Sequence, residues 1–297
     1  MVKRLVIYLN EMFPLSNIIG TFLYAFIVYS SLNLMEGQLI QFDIRYLVGA
    51  TSLLCFILLI RVMDEFKDYP DDLKNYPNRP LPSGRVFRKD LLILGTFCFS
   101  LGIILNLFNQ VMFIAALFCL GYSLLMLKWF FIEKKMRKSL FLALISHHPI
   151  VYFYLFYLAV VYFQVKGEFH FFPLLVLIPI GCTSTNWEIS RKIRSPWEET
   201  DYVTYSQIWT PRKAIAVALF HQLLTYVGLV FFLVQTQSPQ WFIFITLLCI
   251  PFLVAPYFIF LKEFKHQKHF KKYAENVTAF LIVNLFCYTI LKYFSQT

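Results

Sequence analysis

The chain has 297 residues, of which 59% are apolar, 19% are Phe, Trp or Tyr and only 15% are charged. Soluble domains carry about 25% charged residues, so a soluble protein of this size would lack the polar surface it needs, and disorder, a collagen-like repeat and a disulfide scaffold are excluded with it. The excess of 27 Lys and Arg over 17 Asp and Glu, a net charge of +10, fits either nucleic acid or membrane topology, and the positions of the charges decide between them.

Nine apolar segments follow in chain order, at about 13–33, 44–63, 90–108, 110–131, 140–163, 170–187, 212–235, 240–261 and 276–295. Each approaches the roughly 20 residues a bilayer-spanning helix needs, which predicts an all-α multi-pass membrane protein with nine transmembrane helices. No charged leader, short apolar core and small-residue cleavage site opens the chain, so the first segment is expected to be a span and not a removable signal peptide. Basic residues gather at the N-terminus and in alternate connections. One side takes 24 of the 27, leaving Arg45, Lys166 and Lys292 for the other. The positive-inside rule then places the N-terminus and the basic connections in the cytoplasm and the C-terminus on the opposite side. Cys55, Cys98, Cys119, Cys182, Cys249 and Cys287 all fall within apolar segments without a Cys-x-x-Cys pair, as small buried apolar residues do.

The acids are concentrated. Ten of the 17 lie in two clusters, each following a span on the cytoplasmic side. After the second span come Asp64, Glu65, Asp68, Asp71 and Asp72, and then Asp90. Glu65, Asp68 and Asp72 are spaced i, i+3, i+7 on a continuing helix, although Pro70 disfavours helix at Tyr69. The expectation is Glu65 and Asp68 on the last turn and Asp72 on the loop beyond. Carboxylates held together repel unless a cation lies between them, and oxygen-only ligands suit Mg²⁺. The plainer explanation is a solvated loop in which Lys67, Lys74 and Arg79 pair with the acids.

After the sixth span come Glu188, Arg191, Lys192, Arg194, Glu198, Glu199 and Asp201. The clusters are four spans apart, which suggests two four-helix halves plus a ninth helix in a single domain over 1–297. Cap loops 64–89 and 188–211 would then meet over a common cavity. A cavity between apolar helices, closed by acids, Mg²⁺ and basic side chains, matches a ligand with a diphosphate head and a hydrocarbon tail. The 34 Phe and 18 Tyr would line the tail's tunnel, although most aromatics are accounted for by lipid-facing and interfacial packing.

Asp64-Glu65-x-x-Asp68-x-x-x-Asp72, followed by Asn78-Arg79-Pro80-Leu81-Pro82-Ser83-Gly84, resembles the first aspartate-rich motif of the UbiA superfamily of intramembrane prenyltransferases, Asn-Asp-x-x-Asp-x-x-x-Asp and then Arg-Pro-x-x-Ser-Gly. Pro14-x-x-Asn17 is similar to that family's first-helix Pro and Asn, and Tyr122-Ser123 with Lys128 to its diphosphate-contacting Tyr and Lys. The chain departs from the pattern twice. Asp64-Glu65 stands for Asn-Asp, and the second Asp-x-x-x-Asp motif is replaced by Glu188 with Lys192 four residues on. Glu198, Glu199 or Asp201 would supply the missing ligand, or Arg191 and Lys192 would bind phosphate oxygens directly.

The resemblance implies Mg²⁺-dependent ionisation of a prenyl diphosphate, with capture of the allylic cation by an aromatic or lipid acceptor. It places the metal on Asp64, Glu65, Asp68, Asp72 and Glu188. It places the diphosphate on Lys128, Arg191, Lys192, Arg79, Arg85 and Tyr122, and the acceptor or head group on Asn17. Asp68, Asp72, Lys128 and Glu188 would carry catalysis. A membrane terpene cyclase of the same fold, needing no second substrate, is the alternative. A transporter would place ionisable residues at the bilayer midplane, whereas these charges lie at span ends. His147 and His148, before Pro149, are read as hydrogen-bonded near a helix start, and His266 and His269 as solvated. Their lysine-rich loop is expected to attract anionic membrane lipid and no nucleic acid.

Overall fold

A computed structural model describes residues 1–38, 43–199, 203–263 and 270–296. Asp201, Lys265, His266, Lys268 and His269 lie outside the described residues. Among those described, all regular structure is helical: α1 (Val2–Met12), α2 (Leu15–Met35), α3 (Ile44–Lys67), α4 (Tyr69–Asn75), α5 (Arg88–Ile104), α6 (Gln110–Leu127), α7 (Glu133–Lys138), α8 (Leu140–His147), α9 (Pro149–Lys166), α10 (Leu177–Ser190), α11 (Tyr205–Trp209), α12 (Pro211–Gln235), α13 (Gln240–Glu263) and α14 (Phe270–Gln296).

Every apolar segment coincides with a helix, and seven helical stretches among the described residues are long and apolar enough to cross a membrane. The protein is an integral multi-pass membrane protein of all-α architecture. Two expected spans are shorter. Helix α5 has 17 residues, beginning at the charged run Arg88-Lys89-Asp90. Helix α10 has 14, because the chain from Phe172 to Val176, with Pro173, is wound as a 3₁₀ turn. Pro149 opens α9 at a first-turn position where its missing N–H costs nothing, dividing the fifth segment into α8 and α9.

Two separately packed units make up the chain. The first comprises Met1–Tyr29, Phe42–Lys138 and Ile145–Phe169, the second Ser30–Gln41, Ser139–Leu144 and His170–Thr297. The fifth apolar segment, as α9, thus packs in the first unit, whereas the sequence pattern divides the halves after the fourth.

In the first unit α3 packs against α5, α6 and α9. Its interior joins Leu53, Phe56, Leu155, Tyr157 and Leu158, all fully buried. A buried polar chain fixes the helices in register: Tyr157 Oη donates to Asn106 Oδ1 at 2.8 Å, and Asn106 Nδ2 donates to Ser52 Oγ at 3.0 Å. With the Tyr157 hydroxyl and the Asn106 amide donors paired, the latter also to the Gly102 carbonyl at 2.8 Å, the chain orders the core at little desolvation cost. Gly102 lets α5 approach closely, since a Cβ there would fall 2.9 Å from the Phe56 ring.

In the second unit α10 packs against α12 and α14. Gly228 of α12 lies where a Cβ would meet Pro179 Cβ at 2.6 Å. Toward the other end of α10, Asn186 Oδ1 accepts from Ser190 Oγ at 3.0 Å and Tyr257 Oη at 3.1 Å. Ile189, Tyr205, Ile215 and Phe270 close around this end.

Candidate active site

The acid motif of the first unit is built on the end of α3. Asp64 and Glu65 occupy its last turn. Asp68 is the cap, its N–H donating to the Asp64 carbonyl at 2.8 Å. The helix therefore ends one residue earlier than the spacing suggests, and Asp72 is on no loop. Pro70 starts α4 instead, its fixed φ suiting a first turn, and Asp71 and Asp72 lie in the same turn, where the helix dipole favours acids.

Four of these five acids have basic partners. Asp64 pairs with Lys67 at 3.1 Å, Glu65 with Arg61, Asp71 with Arg137 at 2.8 Å and Asp72 with Arg79 at 2.6 Å. Arg79 also stacks over the Tyr76 ring at 4.1 Å. The plainer expectation of internal pairing by Lys67 and Arg79 thus holds for Asp64 and Asp72. Asp68 differs: among the described residues its carboxylate makes no hydrogen bond or ion pair. Burial, with the negative charges of Asp64, Asp72 and Asp71 around it, outweighs Lys67 and pushes its pKa from 3.8 up to about 6. Glu65 is 1% exposed, and its Oε2 is buried with no hydrogen-bond partner among the described residues.

These leftovers are the test of fit for Mg²⁺. No three His, Cys, Asp or Glu side chains form a metal-holding group among the described residues. Mg²⁺ typically takes only one or two protein carboxylates, keeps waters and completes its shell with phosphate oxygens. The unpaired Asp68 carboxylate and the orphaned Glu65 oxygen suit that demand, and the donor set is oxygen only.

Tyr122, near the end of α6, donates its hydroxyl proton to the Ser146 carbonyl at 2.6 Å. Lys128 caps α6 and is exposed. The next three residues, Trp129, Phe130 and Phe131, are left-handed, with φ of 50°, 49° and 60°. Side chains hold this turn in place. Lys67 Nζ lies 4.7 Å from the Trp129 ring centre and Arg137 5.0 Å, while His147 packs edge-on to Trp129 and Phe130. Lys67 Nζ is also 3.5 Å from His147 Nε2, and His147 Nδ1 is 3.1 Å from Ser146 Oγ, in agreement with a histidine hydrogen-bonded near a helix start.

Lys67, Trp129 and Arg137 are the residues that sequence reasoning missed as a group. The signal available was the aromatic run directly after Lys128. Asn17 is exposed in the first turn of α2. Arg85 is taken up elsewhere, by Glu11, by the Asn78 carbonyl at 2.6 Å and by Ser83 Oγ at 3.1 Å.

In the second unit Glu188 accepts from Arg191 at 2.6 Å and Lys192 at 3.1 Å, so the acid serves as counter-ion to both bases. Arg191 covers Trp187 at 5.1 Å and Lys192 faces Tyr205 at 5.7 Å. Glu199 accepts from Thr204 Oγ1 at 2.8 Å and Ser206 Oγ at 2.6 Å, which ties its carboxylate to the start of α11. Glu198 lies just before it, its carbonyl 3.4 Å from an Arg194 guanidinium nitrogen.

The sequence profile of the UbiA prenyltransferase family matches residues 24–281. A solved structure concerned with digeranylgeranylglyceryl phosphate synthase in membranes superposes with a TM-score of 0.69 at 17% identity, covering 97% of this chain and 99% of that one. The apo structure of a UbiA homologue from Aeropyrum pernix K1 gives 0.68 at 12% identity, covering 93% and 98%. At these identities the likeness is one of fold. No curated protein sequence matches the chain.

Proposed function

Because the chain belongs to the UbiA prenyltransferase family, we propose that it is an Mg²⁺-dependent intramembrane enzyme that moves an isoprenyl group from a prenyl diphosphate to an aromatic or lipid acceptor and releases diphosphate. The observation that carries this reading is Asp68, a half-buried carboxylate without a partner in a motif whose other acids are all paired. Asp68 and Glu65 would hold Mg²⁺ first, with Asp64 and Asp72 joining as they exchange Lys67 and Arg79 for the ion. Bound there, the metal supplies positive charge to the leaving diphosphate.

Lys128 is the base we assign to phosphate oxygens in the first unit, being exposed and at a helix end. Fixed positive charge of this kind stabilises charge that develops on the leaving oxygens without having to reorganise. Tyr122, fixed to the Ser146 carbonyl, presents its ring edge to Phe130 and steadies the turn that follows Lys128. In the second unit we assign phosphate contact to Arg191 and Lys192, with Glu188 as the acid that orients them. Asn17 is assigned to the acceptor or head group. In this reading α5 and α10 complete nine crossings, the acid motif and the N-terminus are cytoplasmic, and the C-terminus is on the other side.

The test is a screen of purified protein with C10 to C20 and longer prenyl diphosphates, with and without Mg²⁺ and with aromatic or glycerol-lipid acceptors. A solved structure of the same fold concerns digeranylgeranylglyceryl phosphate synthase, so glycerol-phosphate lipids are the first acceptors to try. Asp68→Ala is expected to abolish Mg²⁺-dependent diphosphate release. Full release by that variant overturns the site assignment, and a cyclic product formed without any acceptor overturns the transfer reaction.

A further inference from the structure

Helix α1 is an element that the apolar segments did not announce, and it lies outside the residues that the family profile matches. Leu5, Leu9 and Met12 recur at helical spacing and are partly buried, while Lys3, Asn10 and Glu11 remain exposed. Tyr8 is fully buried against Val62 of α3, Leu81 and Val86 of the motif's Pro-rich loop, and Leu91 of α5. One apolar cluster therefore joins α1 to every segment that frames the acid motif.

Charged pairs secure α1 along its length. Arg4 forks onto Asp90, with Nε to Oδ2 at 2.6 Å and Nη2 to Oδ1 at 2.9 Å. Such bidentate pairing fixes orientation as well as distance. Asp90 is 3% exposed and also accepts from the Phe87 N–H at 3.1 Å, which caps α5. At the other end Glu11 receives both terminal nitrogens of Arg85, with Nη2 at 2.9 Å. That same Nη2 donates to the Asn78 carbonyl at 2.6 Å. The next residue, Arg79, bonds Asp72 at 2.6 Å. A continuous polar path thus runs from Glu11 through Arg85 and Asn78 to Arg79 and Asp72.

We infer that α1 is a strap that holds the Asp72–Arg79 limb of the acid site in place, and that Glu11 is a positioning residue acting through Arg85. The inference rests on the prenyltransferase reading only for its effect on catalysis. A guanidinium held on two sides by Glu11 and on a third by a carbonyl has few other geometries open to it, so it fixes the Asn78 peptide. Removing Glu11 leaves Arg85 only its partners within the loop, the Asn78 carbonyl and Ser83 Oγ, with nothing to tie them to α1, and lets residues 76–86 sample positions in which Arg79 and Asp72 are displaced from the substrate.

The experiment uses the full chain in bilayer discs and compares Glu11→Gln, Arg85→Gln and the double variant. Hydrogen exchange is read at Ser83, Gly84 and Val86, whose N–H groups close the loop onto Arg79, Leu81 and Pro80, and KM and kcat are read with a prenyl diphosphate. In Glu11→Gln, exchange at the three amides and KM are each expected to rise roughly two- to fivefold, the range an exposed ion pair carries. The kcat at saturation is expected to hold, and the double variant to be no worse than Arg85→Gln alone. Unchanged exchange, a fall in kcat at constant KM, or additive effects in the double variant would each overturn the strap. If the wild-type protein consumes no prenyl diphosphate, the prenyltransferase reading fails separately, and exchange in Glu11→Gln still decides whether α1 orders the loop.

Discussion

Replacing Asp68 by Asn is expected to stabilise the protein at neutral pH while removing its activity. Its carboxyl pKa is pushed from 3.8 up to about 6 by burial among other acids. A folded-state pKa above the unfolded value means that the group favours the fold while protonated. That contribution is complete below about pH 3.8 and is lost as the pH climbs through about 6. The shift is about two units, or at most about 3 kcal/mol at 1.36 kcal/mol per unit, and water reaching this half-buried group brings the figure nearer ~2 kcal/mol. A chain of this size moves by about 2–4 °C per kcal/mol, so the gap should be about 5 °C. The assay is thermal unfolding of wild-type and Asp68→Asn protein in detergent without divalent cations, from pH 4 to pH 8. The two should lie close together at pH 4, draw apart between pH 4 and pH 6 and keep the full gap above that, the variant unfolding later, and Mg²⁺ with substrate should narrow the gap. An Asn variant no more stable than wild type at pH 7.5, or a gap independent of pH, would refute the reasoning. Wild-type diphosphate release should rise through the same pH range, since only ionised Asp68 serves a cation.

Three further outcomes are expected. Arg79→Ala leaves Asp72, 6% exposed, without the partner that neutralises it, and should cost about 1–3 kcal/mol in denaturant unfolding. Asp72→Asn added to Arg79→Ala should recover part of that loss. Gly228→Val forces a branched side chain into Pro179, whose Cβ is already 2.6 Å from where a Cβ would sit. It should lower stability by about 1–3 kcal/mol, read as a lower unfolding temperature with the first unit's α3 and α5 amides exchanging as before. Lys128→Gln should raise KM for prenyl diphosphate about tenfold, the loss of a charge-assisted contact, without changing the unfolding temperature, because that side chain is exposed at a helix end.

Composition sufficed for the membrane class and for the helical character of the apolar segments, because hydropathy reports directly on the bilayer. The carboxylate spacing was equally legible from 64 to 72. What spacing could not say was which acids are already satisfied. Asp64, Glu65, Asp71 and Asp72 find Lys67, Arg61, Arg137 and Arg79, and only Asp68 is left over. Pro70 marks both the end of one helix and the beginning of the next, and its effect on Tyr69 gave the first without the second. Spacing also could not show that Arg85, expected to bind diphosphate, bonds Glu11, 74 residues away in the chain. Nor could it show that Glu199, one of the residues offered for the missing second-motif ligand, accepts from the hydroxyls of Thr204 and Ser206. Helix α1 escaped notice because an amphipathic stretch of eleven residues is too polar to register as a span.

The left-handed turn at Trp129, Phe130 and Phe131 inverts a familiar ranking. In an ordinary helix Ala is tolerated better than Gly, because Gly gives up more backbone freedom on folding. Here the backbone has the opposite hand to the one L-residues prefer, at about 1–2 kcal/mol for each, and the packing of Lys67, Arg137, Tyr122 and His147 on the Trp129 and Phe130 rings outweighs it, Phe131 being exposed. Truncation to Ala removes the rings and keeps the strain, whereas truncation to Gly removes both. At these three positions glycine is the milder lesion, and a substitution scan built on alanine alone would overstate what the Trp129 and Phe130 rings contribute.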